Sequence, residues 1–227
     1  MTQSISIGRV RRVIYLGAEA LVAEGEFLGY GAVFKLRLRK PYRAPELDRE
    51  IVSRRTAAEA RTMLMLKQYG VSVPRVLFVD PLQGLIIMEK VEGAVLRNAL
   101  EALGREEACR AMVELGREVG KMHKLGVSHG DVTTSNAVLR PDGSVYILDL
   151  GLSKHVEDVE DLAVDVHLLI RVLESSHHSA KEDLMKCFMR GYRSVVGSEV
   201  AGKVLEKVAE IRMRGRYVEE RRVRKST

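Results

Sequence analysis

The stretch from Ser128 to Lys154, S-H-G-D-V-T-T-S-N-A-V-L-R-P-D-G-S-V-Y-I-L-D-L-G-L-S-K, constrains the fold more than any other part of the 227-residue chain. Ala137-Val138-Leu139 is short and apolar, Arg140-Pro141-Asp142-Gly143 is rich in turn formers, and Val145-Tyr146-Ile147-Leu148 is apolar again. Strand, turn and strand are expected. A tight hairpin returns its two ends to one place, which puts Asn136 beside Asp149. His129-Gly130-Asp131 stands a short loop before Asn136, so Asp131 belongs to the same neighbourhood. A solvated turn followed by an ordinary hairpin accounts for each of these residues singly, but not for all three in this order.

Two oxygen ligands side by side, with a carboxylate one loop away, are the parts required for Mg²⁺-assisted phosphoryl transfer. Asp131 would face the attacking group, and Asn136 and Asp149 the metal. The order H-x-D-x-x-x-x-N and then D-x-G resembles the catalytic and metal loops of protein kinases.

The amino-terminal part supplies what such a site needs against phosphates. Short strands are expected over residues 12–16, 21–24 and 32–39, with Gly17-Ala18-Glu19-Ala20 as the first turn. In the third strand Phe34, Leu36 and Leu38 alternate with Lys35, Arg37 and Arg39, one apolar face against one cationic face. Taken alone, Lys35 reads as a surface lysine. The next element changes that reading. Residues 47–69 have helical periodicity and stop at Gly70, and Glu59 shares a face with Val52, Met63 and Leu66. A carboxylate on an apolar stripe calls for a cation, because an unpaired buried charge costs several kcal/mol. Lys35 is the expected partner, the lysine–glutamate device that holds the α- and β-phosphates in kinases.

Two further strands are expected over residues 73–79 and 85–88. The chain then leaves the sheet through Met88-Glu89-Lys90-Val91, where the backbone of Glu89 and Val91 would pair with adenine. Helices are expected over residues 96–103, 105–125, 159–173, 180–196 and 199–214. Asp165, set among Leu162, Val166 and Leu169, would need donors, and the catalytic loop's backbone is the expected source. His123 reads as a structural residue in the last turn of its helix.

Composition bounds the rest. At 46% apolar residues the chain can bury a core, as one large or two small domains. No segment is apolar for long enough to cross a bilayer, and the first residues lack the apolar centre of a signal peptide, so no membrane and a cytoplasmic location are expected. Cys109 and Cys187 have no partner at ligand spacing and are expected to be reduced and helix-buried. The net charge of +6 is concentrated in residues 211–227, where seven basic residues face Glu219 and Glu220. A second cluster, Arg37, Arg39, Lys40 and Arg43, contains no acid. Such clusters suit an anionic partner such as RNA, or are simply solvated.

Across nearly its whole length the chain resembles the small atypical serine/threonine kinase of the KEOPS (EKC) complex, the PRPK family. The resemblance is carried by Gly17-Ala18-Glu19-Ala20, by Lys35-Leu36-Arg37 with Lys40-Pro41-Tyr42-Arg43-Ala44-Pro45-Glu46-Leu47-Asp48, by Arg55-Thr56-Ala57-Ala58-Glu59-Ala60-Arg61, by His129-Gly130-Asp131-Val132-Thr133-Thr134-Ser135-Asn136 and by Arg212-Met213-Arg214-Gly215-Arg216. It implies an α+β, two-lobed, protein-kinase-like fold without an extended activation segment. Residues 1–90 would form a strand-rich lobe with one long helix, and residues 91–227 a helical lobe with the catalytic hairpin and a basic tail. ATP and Mg²⁺ would be the cofactors, with ATP held between the lobes. Lys35, Glu59 and Asp131 would be the catalytic residues, and Asn136 and Asp149 the metal ligands. Gly17, Ala18, Glu19 and Ala20, with Lys35, Glu89 and Val91, would bind the nucleotide. The implied partners are the threonylcarbamoyl-transferase and other subunits of the complex, with tRNA reached through the basic tail. The alternative is a small-molecule phosphotransferase of the aminoglycoside or choline kinase type, which shares His-Gly-Asp and the later Asn and Asp. The Thr-Thr-Ser filling and the K-x-Y-R-x-P run point away from it.

Departures from ordinary kinases narrow the expectation. There is no G-x-G-x-x-G, and Thr133 stands where a lysine usually meets the γ-phosphate. Only fifteen residues separate Asp149 from Asp165, leaving no room for the platform that grips a peptide substrate. Water is therefore a candidate acceptor.

Overall fold

A computed structural model describes the backbone of residues 8–223 and the side chains of residues 8–214. The fold is α+β, in two compact units that divide between Glu92 and Gly93.

The first unit is an antiparallel five-stranded sheet backed by one helix. Its strands are β1 (Gly8–Leu16), β2 (Ala20–Phe27), β3 (Tyr30–Arg37), β4 (Val76–Asp80) and β5 (Leu85–Glu89), in the order β1-β2-β3-β5-β4. Leu28 and Gly29 both take positive φ, which makes the β2–β3 connection a two-residue hairpin matched to the twist of its strands. Phe27, Ala32 and Ile87 are buried together, with Phe34, Leu77 and Leu85 packed against them. The opposite face of β3 carries Lys35 and Arg37, and both are buried. The apolar face therefore builds the small core, while the cationic face turns inward toward Glu59.

Helix α1 (Pro45–Gln68) is the source of that demand. Pro45 suits the first helical position, and Glu46 and Asp48 suit the positive end of the helix dipole. Val52, Thr56, Glu59, Ala60, Met63 and Leu66 form its buried stripe. Asp48, also buried, accepts from Lys40 N and Arg43 Nη1, both at 3.3 Å, which ties the Lys40–Ala44 approach to the helix start.

The second unit is mainly helical. It comprises β6 (Ala94–Val95), α2 (Leu96–Ala102), α3 (Arg105–Lys124), β7 (Val127–Ser128), β8 (Ala137–Leu139), β9 (Val145–Ile147), β10 (Lys154–His155), α4 (Val159–Ser176), α5 (Lys181–Val196) and α6 (Ser198–Val223). Helices α3 and α5 make the central contact. A Cβ on Gly191 would sit 1.9 Å from the carbonyl oxygen of Val113, and one on Gly116 would sit 2.1 Å from that of Phe188, so the close approach depends on both positions lacking a side chain. The same two helices are joined by a disulfide between Cys109 and Cys187, 78 residues apart in sequence. The expectation of two reduced thiols is thereby overturned. Neither cysteine sits in a recognisable motif, and only the packing of α3 on α5 brings them to a Cα separation of 5.3 Å.

The hairpin forms as its alternation predicts, with Ala137 opposite Ile147, Val138 opposite Tyr146 and Leu139 opposite Val145. Strand β6 pairs with its outer edge. Neither β6 nor two further short strands were anticipated: β7 and β10 pair Ser128 with Lys154 and Val127 with His155. The stretch that organises the sequence is thus closed at both ends by its own ladder.

Candidate catalytic site

In the first unit Lys35 Nζ donates to Glu59 Oε1 at 2.6 Å, and both residues are buried. Glu59 has a second cation. Arg37 Nη2 donates to Glu59 Oε2. Residues two apart on a strand share a face, so Lys35 and Arg37 meet the two oxygens of one carboxylate. The expected pair is in fact a cation–carboxylate–cation bridge.

The turn from Gly17 to Ala20 closes with Gly17 N donating to Ala20 O at 3.0 Å. Lys40 Nζ donates to Ala18 O, and Arg55 meets Glu19 at 2.7 Å. Partial burial pushes the Glu19 carboxyl up, but the Arg55 hydrogen bond and the charges of Arg55, Lys40 and Arg37 together hold it below the ordinary carboxylate value. Glu89 pairs with Ala32 at the end of β5, its N–H donating to Arg75 O at 2.8 Å, and Val91 lies just beyond the strand.

These contacts correct the reading of residues 37–43 as a free basic cluster. Arg37 bridges to Glu59, Lys40 to the Gly17–Ala20 turn and Arg43 to Asp48; Arg39 alone of the four is exposed with no ion pair among the described residues. The acids that partner them, Glu59, Glu19 and Asp48, all lie outside the cluster.

In the second unit the loop that carries His129, Gly130 and Asp131 is fixed by a buried carboxylate. Asp165, on α4 and fully buried, accepts from His129 N at 2.6 Å and Gly130 N at 2.7 Å. His123 Nε2 also meets Asp165 Oδ2, at 3.0 Å, and His123 Nδ1 lies 2.8 Å from the hydroxyl of Tyr192. Burial, and then the negative charge of Asp165, push the Tyr192 phenol far up, so it keeps its proton beside Nδ1. Facing a carboxylate, His123 Nε2 is the ring nitrogen that donates. His123, read from the sequence as a structural residue, connects α5 and α4 to the loop that Asp165 holds. Gly130 has φ +81°, and a Cβ there would lie 2.5 Å from Leu152 O, so the loop's path requires glycine.

His129 ties the loop to the far end of the hairpin. Its Nδ1 accepts from Asp131 N at 3.2 Å, which places the ring hydrogen on Nε2, 2.9 Å from Leu148 O. Asn136 then locks Asp131: Nδ2 donates to Asp131 O at 3.0 Å and to Oδ2 at 2.8 Å. Asn136 O accepts from Leu148 N at 2.8 Å, so Asp149 is the residue following Asn136's cross-strand neighbour. Asp149 is exposed, has φ +56°, and receives Gly151 N on Oδ1 at 3.2 Å. With both Nδ2 hydrogens spent on Asp131, Asn136 keeps Oδ1 as its oxygen donor, and Asp149 adds a carboxylate. Two hard oxygen donors fit Mg²⁺, which commonly takes one or two protein ligands and completes its shell with water and phosphate. Among the described residues no group of three or more His, Cys, Asp or Glu gathers as a metal cage.

The basic tail is described only in part. Arg212 pairs with Glu174 at 2.8 Å and Arg214 with Glu160 at 3.0 Å, so the start of the tail packs on α4. The side chains of Arg216, Arg221, Arg222, Arg224 and Lys225 lie outside the described residues. No described helix is long and apolar enough to cross a membrane.

A family profile for the RIO domain matches residues 36–185, which include Glu59 and the whole hairpin stretch. The chain is 39% identical over 214 residues to the KEOPS complex subunit Bud32 of Pyrococcus abyssi, covering 92% of this chain and 97% of that protein. It is 35% identical over 234 residues to the EKC/KEOPS complex subunit BUD32 of Yarrowia lipolytica, covering 92% and 94%. A probable bifunctional tRNA threonylcarbamoyladenosine biosynthesis protein of Methanothermobacter thermautotrophicus is 34% identical over 207 residues; the match takes in 91% of this chain but 37% of that longer protein.

Proposed function

This chain belongs to the RIO-domain family, among the Bud32 subunits of the KEOPS complex, and from that premise we propose that it is an ATP-dependent atypical serine/threonine kinase and ATPase serving threonylcarbamoyladenosine formation in tRNA. The observation that carries the chemistry is the prebuilt loop: Asp165 holds two loop amides while Asn136 holds Asp131 by both its backbone and its carboxylate.

Each residue then has a task in phosphoryl transfer. Asp131, with Oδ2 occupied by Asn136, offers its other oxygen to a hydroxyl or water and orients it for in-line attack. Lys35 meets the α- and β-phosphates while Glu59 keeps it in place. The Gly17–Ala20 turn lies against the phosphates, and the backbone of Glu89 and Val91 pairs with adenine. A bound Mg²⁺ would neutralise charge on the phosphate oxygens, held by Asn136 Oδ1 and the Asp149 carboxylate. With fifteen residues between Asp149 and Asp165, recognition of extended peptides has no platform, which favours water or a partner-presented hydroxyl as acceptor.

The partners are the complex's threonylcarbamoyl-transferase subunit and tRNA. The test is ATP hydrolysis with and without that subunit and tRNA, expected to rise when both are present. Turnover stimulated by an aminoglycoside or choline and indifferent to tRNA would replace this reading with the small-molecule phosphotransferase. Binding of ATP without turnover under any of these conditions would reduce the protein to a scaffold. For the tail, five cations remain beyond Arg214. About five phosphate contacts would weaken tRNA binding by roughly two to three decades between ~50 and ~200 mM salt. Truncation after Arg214 spares the pairs with Glu160 and Glu174 and is expected to remove that dependence; unchanged tRNA affinity would reject the assignment.

A further inference from the structure

Arg37 is placed like a binding-site residue yet buried like a core residue. It is 7% exposed, on the same face of β3 as Lys35, and its Nη2 donates to Glu59 Oε2 while Lys35 Nζ donates to Oε1. Its freedom to leave is small. Arg37 N donates to Gly84 O at 3.0 Å, and the site of a Cβ on Gly84 lies 3.3 Å from Arg37 Cβ and 2.7 Å from Val52 Cγ1, so the Pro81–Gly84 turn and α1 close on the arginine's stem. Its Nε is buried and makes no hydrogen bond among the described residues. A guanidinium in this setting bears desolvation and an unsatisfied N–H, costs that an apolar side chain would not incur. What it gains is a charge-assisted bond to Oε2.

We infer that Arg37 is a positioning residue for nucleotide binding: it pins the Glu59 carboxylate so that Oε1 is presented to Lys35, and thereby sets where the lysine ammonium meets the phosphates. Without Arg37, Glu59 can rotate both oxygens onto Lys35. The ammonium then follows the carboxylate, and its aim at the phosphates is lost. With Arg37, one oxygen is taken on a short, rigid strand and the other is left at a fixed place. The lysine–glutamate contact is therefore held by the fold of the first unit itself.

The inference rests on the proposed binding of ATP by Lys35, and a double-mutant cycle separates the two. Mg-ATP dissociation constants are measured by calorimetry for the wild type, Arg37→Met, Glu59→Gln and the double variant, with far-UV circular dichroism confirming each fold. Arg37→Met is expected to weaken Mg-ATP at least 10-fold, and to raise KM by a larger factor than it lowers kcat. In the Glu59→Gln background the same substitution is expected to change affinity by less than about 3-fold, because the carboxylate it pins is gone. A merely structural arginine would lower stability in both backgrounds and leave the cycle additive. Affinity of Arg37→Met within 2-fold of wild type, or an undiminished effect in Glu59→Gln, overturns the inference. A wild type that does not bind Mg-ATP overturns the functional reading instead. Should Arg37→Met fail to fold, Arg37→Lys serves: a lysine keeps the charge but not the planar fork. It is expected to weaken Mg-ATP at least 3-fold, and wild-type affinity would overturn the inference.

Discussion

Replacing Cys109 and Cys187 together by alanine removes the covalent link between α3 and α5. The link closes a loop of 78 residues. For a loop of that length the chain-entropy relation gives about 15 cal/mol/K, or roughly 4.5 kcal/mol at 25 °C, by which the cross-link destabilises the unfolded chain. The native state should barely change, since Gly116 and Gly191 keep the two helices in contact with or without the bond. At roughly 2–4 °C per kcal/mol for a chain of this size, the melting temperature should fall by roughly 10–20 °C. The assay is guanidinium unfolding of the unreduced parent and the double variant, followed by far-UV circular dichroism. The midpoint should drop, and the denaturant slope should steepen because the uncrosslinked chain exposes more surface on unfolding. A stability difference under about 1 kcal/mol would refute the reasoning. So would complete alkylation of both thiols in the native protein before any reductant is added.

Two other outcomes follow from the buried network. Asp165→Asn leaves one acceptor oxygen where the carboxylate had two, against the amides of His129 and Gly130 and the His123 Nε2–H. Stability should fall by about 1–3 kcal/mol, and ATP turnover at least ~100-fold as Asp131 loses its placement; parent-like turnover would show that the loop holds without this anchor. At His177, burial pushes the imidazole down, Glu101 pulls it up and Arg97 pushes it down again, with a net position below the ordinary 6.5. The unfolded chain then takes up a proton near 6.5 that the folded chain refuses, so this contribution is complete above that pH and shrinks as pH falls below it. Acid titration of stability should be shallower in His177→Gln than in the parent between pH ~7 and ~5. An unchanged slope would remove His177 from the account; His167, also held low by burial, keeps the slope from vanishing.

How much of this the sequence discloses depends on how local the cause is. The β8–β9 hairpin is written in adjacent residues, since its alternation and its Pro-Asp-Gly turn leave one register that keeps Val145 and Ile147 inside. The contact of Lys35 with Glu59 is legible because a carboxylate on an apolar helical stripe demands a cation, and the donors to Asp165 because a buried acid demands hydrogen bonds. Arg37 was hidden by the same logic applied too narrowly. It shares Lys35's strand face, a signal that was available, but its neighbours Arg39, Lys40 and Arg43 made it read as surface charge. The Cys109–Cys187 bond and the Tyr192–His123 contact had no local signal. Both depend on α5 lying against α3, and helical periodicity tells which face is apolar without telling which helix covers it. The β7–β10 ladder is two residues on each side, too short to carry a pattern of its own.

The central claim is that Asp131, fixed by Asn136 and by the Asp165-anchored loop, directs phosphoryl transfer from ATP. It is tested most directly by Mg-ATP turnover of Asp131→Ala beside the parent, in the presence of the transferase subunit and tRNA, with circular dichroism confirming equal folding. Loss of at least ~100-fold in turnover, with nucleotide still bound, is the predicted result. Turnover at the parent rate in a folded Asp131→Ala protein would contradict it.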